Sequence, residues 1–190
     1  MSNSWIGNFK IYKPVTPGRR HKRHPTRFHL HTGDPISRLT KGKRSTGGRN
    51  NQGRITVRGR GGGHKRLYRL VDFHRKVPGP HSVIRLEYDP NRSADLALLR
   101  NESTNEFSYI IAADDLVPGD TVHSYRNAAL PTAVSKVQVL KPGNVLNLKD
   151  IPVGTVIHNI SLKADAKMAL CRSAGTHAQV CAMHSCCFPF

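Results

Sequence analysis

The residues best suited to chemistry in this chain are concentrated in one stretch, "STGGRNNQGRITVRGRGGGHKR", which runs from Ser45 to Arg66. It contains seven glycines, several arginines and no acidic residue. A guanidinium group can bind phosphate oxygens in a bidentate manner. Glycines let the backbone bend through positive φ and lie close to a ligand. The stretch therefore predicts contact with a phosphate-bearing partner.

Two motifs for small nucleotides fail in this region. A Walker loop needs GxxxxGK followed by Ser or Thr, but the only GK pair here is followed by Arg44 and has Ser37 at the first glycine position. The dinucleotide fingerprint fails because His64 occupies its third glycine position. An enzyme with a bound nucleotide is not expected, and a larger polyanion is favoured as the partner.

The cysteines and several histidines are crowded near the C-terminus, as Cys171, His177, Cys181, His184, Cys186 and Cys187. Structural zinc sites usually present pairs of ligands on well-separated knuckles, and this spacing does not. The cysteines are expected to be free thiols in a reducing compartment. No nucleophile with a partner base has a recognisable signature, so the sequence predicts no catalytic residue, no metal and no cofactor.

The charge of the chain is unevenly distributed. The net charge is +18 at pH 7, and residues 1–76 hold 20 of the 30 lysines and arginines but only two acidic residues. Residues 77–190 hold ten of each sign. This pattern is typical of a basic nucleic-acid-binding extension joined to a neutral globular part. No stretch approaches the roughly 18 apolar residues of a membrane helix, so no membrane partner is expected.

Hydrophobic periodicity predicts a β-rich fold. Residues 1 to about 53 show no sustained period and many prolines, so this segment is expected to be extended and to become ordered only against its partner. From Arg54 onwards the period is two, which indicates strands separated by Gly, Pro, Asn and Asp turns. Roughly five short strands favour a small closed barrel of the OB type, followed by a shorter β-rich unit from about Val134. The predicted strands of the barrel region are 54–58, 66–75, 82–89, 94–100, 106–112 and 121–125.

RNA is favoured over DNA as the partner. The chain has no helix-turn-helix, zinc-finger or basic-zipper pattern, whereas a basic arm on a barrel suits a folded RNA that is recognised by shape. The polar run Asn50 to Gln52 offers groups for sugar hydroxyls and base edges. A merely solvated charge run remains the alternative. The aromatic residues of the barrel strands fit a core as well as a stacking surface; they are Tyr68, Phe73, Tyr88 and Tyr109.

Longer stretches of the sequence are similar to a known family. They include "KPVTPGRRH", "TGGRNNQGRITVRGRGGGHKRLYRLVDFHR", "RLEYDPNRSADLAL", "YIIAADDLVPGD", "LKPGNVLNL", "IPVGTVIHNI" and "CRSAGT". In this order, from Lys13 to about Ala182, they resemble bacterial-type large-subunit ribosomal protein L2. The resemblance implies a structural protein that binds large-subunit rRNA beside neighbouring ribosomal proteins. It also carries an rRNA-contacting role over to Arg92 and Arg172, which the residue patterns alone do not single out.

The resemblance completes the predicted organisation as a mainly β fold. A long irregular basic extension occupies 1–60, an OB-fold barrel 61–128, and an incomplete SH3-like barrel with a divergent tail 129–190. The residues predicted to bind rRNA are Arg19, Arg20, His21, Lys22, Arg23, Arg44, Arg49, Asn50, Asn51, Arg54, Arg58, Arg60, Gly62, Gly63, His64, Lys65, Arg66, Arg69, Arg92 and Arg172.

The sequence also departs from the family pattern. Family members continue past "RSAGT", complete the second barrel and add an arm that reaches toward the peptidyl-transferase region, whereas "MHSCCFPF" stands here. The resemblance therefore predicts a truncated or split form, in which the remaining half is either lost or supplied by a separate chain. Such a form is expected in an organellar ribosome, mitochondrial rather than plastid. The alternative function is that of a free RNA-binding regulator or ribosome-assembly factor.

Overall fold

The regular structure of this chain is mainly β, as the sequence predicts. The computed structural model describes residues 4–6, 9–61, 63–126, 139–163 and 166–181. Its helical segments include two short 3₁₀ turns, Ser37–Leu39 and Leu148–Asp150. In the described ranges, no helix is long and apolar enough to cross a membrane. The chain divides into two compact units, Met1–His31 and Thr32–Phe190.

The first unit contains a three-stranded antiparallel sheet. Its strands are β1 (Ser4–Ile6), β2 (Phe9–Ile11) and β3 (Arg23–Pro25), with β2 in the centre. The prediction that residues 1–53 are extended is wrong for this segment, which folds into a sheet. That residues 1–53 become ordered only against a partner stays a prediction. Each strand has three residues, which is too short for a two-residue period to be visible in the sequence.

The second unit begins with a two-stranded ribbon. Strand β4 (Thr40–Lys43) pairs antiparallel with β5 (Arg66–Arg69), and the glycine-rich stretch forms the loop between them. The predicted strand at 54–58 is wrong, since Ile55 makes only an isolated bridge. The side chains of Ile55 and Val57 are 60% and 50% exposed. Their alternation does not produce a strand because no sheet face covers them.

Four antiparallel strands form the main sheet of the second unit, in the spatial order β8-β7-β6-β9. They correspond in order to the four strands predicted between residues 82 and 125, and β6 begins three residues earlier than expected. The strands are β6 (Gly79–Glu87), β7 (Leu96–Asn101), β8 (Phe107–Ile111) and β9 (Thr121–Ser124).

The core lies on both faces of β7. Leu99 packs with Val83 and Val122 in one cluster, and Leu98 packs with Tyr109 in the other. The second cluster also receives side chains that flank the ribbon, including Leu39 and Phe73. The ribbon is tied to the sheet by backbone hydrogen bonds as well, because the Asp72 amide donates to the Tyr109 carbonyl at 2.8 Å. The OB-fold assignment of these strands stays a prediction.

The C-terminal part of the second unit has little regular structure. Strands β10 (Val156–Ile157) and β11 (Ala178–Gln179) pair antiparallel and have two residues each. The start of the shorter β-rich unit expected from about Val134 lies outside the described residues. The SH3-like assignment and the domain boundaries after residues 60 and 128 stay predictions.

Candidate nucleic-acid interface

The glycine-rich loop between β4 and β5 is closed by its own backbone. The carbonyl oxygen of Gly48 accepts hydrogen bonds from the amides of Thr56 at 2.9 Å and Val57 at 3.1 Å. Gly48 has a φ of +73°, and a Cβ there would lie 2.0 Å from the Val57 carbonyl oxygen, so only glycine fits. The sequence predicted that glycine lets the backbone approach phosphate. In the structure, the close approach joins two segments of the same loop.

Asn50 organises the tip of this loop. Its side-chain oxygen accepts hydrogen bonds from the amides of Gln52 and Arg54, both at 3.0 Å. The backbone amide of Asn50 donates to the backbone carbonyl of Arg54 at 2.9 Å. Asparagine commonly forms such side-chain-to-backbone bonds in turns. The side-chain carbonyl group of Asn50 therefore shapes the loop. The side chain of Asn51 is exposed and can contact a partner.

Exposed cationic side chains cover the outside of the loop. No acidic residue occurs in the sequence between Asp34 and Asp72, so no carboxylate within this segment neutralises them. Arginines in such a setting suit the non-bridging phosphate oxygens of a nucleic-acid backbone. Gly63 is exposed as well, and Gly62 lies outside the described residues. The predicted basic residues that are exposed here are Arg44, Arg49, Arg54, Arg58, Arg60, His64, Lys65 and Arg66.

The predicted binding residues at 19–23 lie in and beside the turn that connects β2 to β3. The amides of Arg19 and Arg20 donate to the Thr16 carbonyl at 2.9 and 3.1 Å. His21 adopts a left-handed φ of +64°, which lets the chain reverse toward β3. All five side chains are exposed. The first unit therefore presents a compact cationic turn of its own.

Arg69 differs from the other predicted binding residues because it is buried. Its side chain is 9% exposed, and its Nη1 donates to the Leu67 carbonyl at 3.3 Å. In the described part of the chain, its buried Nε has no hydrogen-bond partner. This guanidinium therefore cannot meet a phosphate unless the surrounding side chains move.

Arg92 and Arg172 lie against the same aromatic ring. The Cζ atom of Arg92 is 5.7 Å from the centroid of Phe73, and the Cζ atom of Arg172 is 3.8 Å from it. Both distances are within the range of cation–π attraction. Arg92 also donates from Nε to the fully buried carboxylate of Asp89 at 2.6 Å, and Arg172 donates to the Met168 carbonyl. The fold thus orients both guanidinium groups through contacts within the chain.

The loops that carry these two arginines meet directly. The Ala174 amide donates to the side-chain oxygen of Ser93 at 3.1 Å. Sequence reasoning missed the role of Phe73, because its position in the alternating pattern fits a core residue equally well. It also missed Asn91, whose side-chain amide donates to the Leu67 carbonyl at 2.7 Å and fastens the same turn to β5. In the sequence, the only signal for the role of Asn91 was the compact "DPNR" turn at residues 89–92.

Two family models match this chain in succession. The model described as "Ribosomal Proteins L2, RNA binding N-terminal domain" matches residues 36–124. The model described as "Ribosomal Proteins L2, C-terminal domain" matches residues 141–187. The chain belongs to the ribosomal protein L2 family.

Curated relatives agree with this membership. The chain is 47% identical to "Large ribosomal subunit protein uL2m" of Schizosaccharomyces pombe, over 91% of this chain and 53% of the relative. It is 48% identical to the uL2m protein of Neurospora crassa, over 92% and 49% respectively. The "Large ribosomal subunit protein uL2" of Rhodopseudomonas palustris (strain TIE-1) is 52% identical over 90% of this chain and 58% of the relative. The L2 chain therefore spans about half the length of the curated relatives it matches.

The Phe73 contact joins the two matched parts of the L2 chain. Arg92 lies in the range of the N-terminal model and Arg172 in that of the C-terminal model. Neither matched part alone supplies both guanidinium groups. The candidate interface beside Phe73 is therefore composite.

A second contact between the two matched L2 domains is centred on Arg75, whose side chain is buried (5% exposed). Its Nε donates to the Ser124 side chain at 3.0 Å, and its Nη1 donates to the Gly143 carbonyl at 3.4 Å. Gly143 packs so closely on β9 that a Cβ would lie 2.7 Å from Cγ1 of Val122. Burial lowers the pKa of Arg75 to about 10, against the opposing effect of the Asp72 carboxylate. Arg75 therefore remains charged at neutral pH and links β9 to the segment around Gly143.

Proposed function

We propose that this L2-family chain is a structural constituent of the large subunit of a mitochondrial ribosome, where it binds large-subunit rRNA and contacts neighbouring ribosomal proteins. The description of the matched N-terminal model includes RNA binding. The two fungal relatives carry the mitochondrial name uL2m, which supports the mitochondrial assignment. Binding of rRNA by the predicted residues other than the buried Arg69 is part of the same proposal.

The observation that carries the proposal is the acid-free cationic loop between β4 and β5. Gly48 and Asn50 hold its backbone in one shape, and its arginines face outward. An ordered surface with this charge is complementary to a folded polyanion. Because the backbone amides of Thr56 and Val57 are already bonded within the loop, we expect the exposed side chains, and not these two amides, to contact phosphate.

The salt dependence of rRNA binding tests the proposal. Each neutralised phosphate releases counterions, so log K should fall against log salt concentration with a slope of about −0.7 to −0.9 per contact. We expect a steep slope when the full chain binds large-subunit rRNA in filter-binding or fluorescence assays. A slope near zero would show that phosphate neutralisation does not drive binding, and would overturn the proposal.

Co-sedimentation distinguishes a stable constituent from a free RNA-binding regulator or assembly factor. We expect the chain to remain with purified large subunits after a high-salt wash, in a stoichiometric amount. Release by the wash would favour the alternative function. The predicted separate chain for the remaining length of the relatives can be sought in the same particles by mass spectrometry, as a second L2-family polypeptide.

A further inference from the structure

One face of the β2–β3 hairpin in the first unit collects aromatic and cationic side chains. Lys10 lies directly opposite His24 in the antiparallel register. The Tyr12 amide points to the Lys22 carbonyl at 3.5 Å, which continues that register by one pair. Because alternate residues of paired strands share a face, these four side chains lie on the same side of the hairpin.

The rings and ammonium groups on this face contact one another. The rings of Tyr12 and His24 meet edge to face, with centroids 5.7 Å apart. The Nζ atoms of Lys10 and Lys22 lie 5.4 and 5.1 Å from the centroid of the Tyr12 ring. Two positive charges are therefore held beside one aromatic ring.

The same face borders a cavity of about 200 Å³. Its lining runs from Lys10 and Tyr12 across to the segment from His24 to Phe28. The Phe28 side chain at its edge is 81% exposed. An aromatic ring exposed at the rim of an open cavity offers a stacking surface for a planar ligand.

The charge of the first unit indicates the class of ligand. Residues 1–31 contain seven lysines and arginines and four histidines, and no acidic residue. The basic residues favour an anionic ligand for this cavity, and the exposed ring of Phe28 favours one that also has a planar ring system. A nucleotide of single-stranded RNA combines both features, because its base can stack while its phosphate lies near an ammonium group.

We infer that this cavity binds one unpaired RNA nucleotide, with the base stacked against Phe28 and the adjoining phosphate on Lys10 and Lys22, whose ammonium groups lie over the ring of Tyr12. The inference rests on the proposed function in taking RNA as the partner of the chain. It goes further by assigning a stacking site to Phe28, an aromatic residue outside the predicted rRNA-binding set. It also gives the first unit a preference for unpaired over paired RNA.

A single-stranded RNA with 2-aminopurine at its centre tests the site in the full chain. Stacking of this base on a protein ring quenches its fluorescence, so we expect quenching by the unchanged chain. Because removing one base–aromatic stack is costly, Phe28→Ala should weaken binding by at least about fivefold and abolish the quenching. Val15→Ala is the matched control, because Val15 is 70% exposed in the same unit and does not line the cavity.

The outcomes separate this site from the proposed function. If Phe28→Ala leaves the quenching and the affinity unchanged, the nucleotide site is wrong, whatever the chain does with rRNA. If the chain shows no salt-dependent binding of large-subunit rRNA but the probe responds as expected, the proposed function fails and the nucleotide site stands. Loss of binding to phosphatidylserine vesicles in Phe28→Ala, without any change toward the RNA probe, would assign the cavity to lipid headgroups and overturn the inference.

Discussion

At the scale of single residues, Arg92 shows how a fold can position a charge for a partner. Its Nε is bonded to the buried carboxylate of Asp89, and its guanidinium lies near the ring of Phe73. The Asp89 carboxylate also accepts a hydrogen bond from the backbone amide of Asn91 at 2.8 Å. The same carboxylate therefore holds both the turn and the Arg92 guanidinium in place. Arg92 therefore has a structural role in addition to its proposed contact with rRNA.

We expect Arg92→Ala and Arg172→Ala to differ in their effects on stability. Removal of the Arg92 side chain leaves the Asp89 carboxylate buried without its cationic partner, which should lower the free energy of unfolding by about 1–3 kcal/mol. Arg172→Ala removes a stacked guanidinium but leaves no carboxylate unpaired, so its effect on stability should be smaller. Urea denaturation of the two variants measures this difference.

Both substitutions should weaken rRNA binding, by about 1–3 kcal/mol each if the contact is charge-assisted. Arg100→Ala serves as the control for removal of one charge, since Arg100 is exposed and bonded to the Asn105 side chain. Equal affinities for all three variants, with the fold intact, would remove Arg92 and Arg172 from the interface. Equal stabilities for Arg92→Ala and Arg100→Ala would contradict the role of the Asp89 pair.

At the scale of elements, the main sheet was predictable and the ribbon was not. The period of two from residue 82 onward identified β6 to β9, because alternate apolar side chains of these strands pack in the buried clusters. The same period at 54–58 was misleading, since a sheet requires a partner strand as well as alternation. Strand β4 lies in a segment with no visible period, and its pairing with β5 depends on a contact across the glycine-rich loop.

The loop offers a matched pair of glycine substitutions. Gly48→Ala places a methyl group against the Val57 carbonyl, whereas Gly53→Ala meets no atom within 4 Å. Both glycines have positive φ, so both variants bear the backbone cost of about 1–2 kcal/mol. Only Gly48→Ala should open the loop, and hydrogen exchange at the amides of Thr56 and Val57 should then accelerate.

The same variants connect the shape of the loop to binding. An open loop holds its arginines at the wrong spacing, so the salt slope for rRNA should become shallower by about 0.7–0.9 for each phosphate that the loop no longer neutralises. Gly53→Ala should keep the slope of the unchanged chain. If Gly48→Ala also keeps it, the order of the loop is irrelevant to binding.

At the scale of the whole molecule, stability depends on buried polar groups as well as on the apolar clusters. His81 is buried, its Nδ1 donates to the Gly79 carbonyl at 3.0 Å, and its Nε2 accepts from the Asn101 side chain at 3.4 Å. This arrangement requires a neutral ring. Burial lowers the pKa of His81, and the nearby charge of Arg75 lowers it further.

We expect the free energy of unfolding to decrease as the pH falls below about 6.5, the ordinary pKa of histidine. In that range the unfolded chain binds a proton at His81 and the folded chain does not, which costs up to about 1.4 kcal/mol per pH unit. The stabilisation is complete above pH 6.5. Burial also lowers the pKa of His158, which adds a contribution of the same sign.

The variant His81→Gln isolates the first contribution, because glutamine keeps a donor and an acceptor but does not titrate. Its unfolding free energy should depend less on pH between 7 and 5.5 than that of the unchanged chain. The exposed His177 provides the control substitution, His177→Gln. A His81→Gln profile that is parallel to the unchanged one would show that His81 does not contribute to acid sensitivity.

The candidate interface was predictable from the sequence only where charge defines it. The acid-free run of arginines identified the loop between β4 and β5, and nearly all of its predicted cations are exposed. Burial of Arg69 and the meeting of Arg92 with Arg172 depend on how distant segments pack, which spacing along the chain does not reveal. The aromatic face of the first unit was missed because its strands are too short to show a period.

The internal closure of the glycine-rich loop has a kinetic consequence. Association is slower when binding requires a conformational change, and a loop already in its bound shape avoids that step. Its fixed array of charges also attracts an RNA from a distance, so ionic strength acts on the association rate. The hydrogen bonds from Thr56 and Val57 to Gly48 would thus affect how fast the chain binds the proposed RNA partner, as well as how tightly it binds.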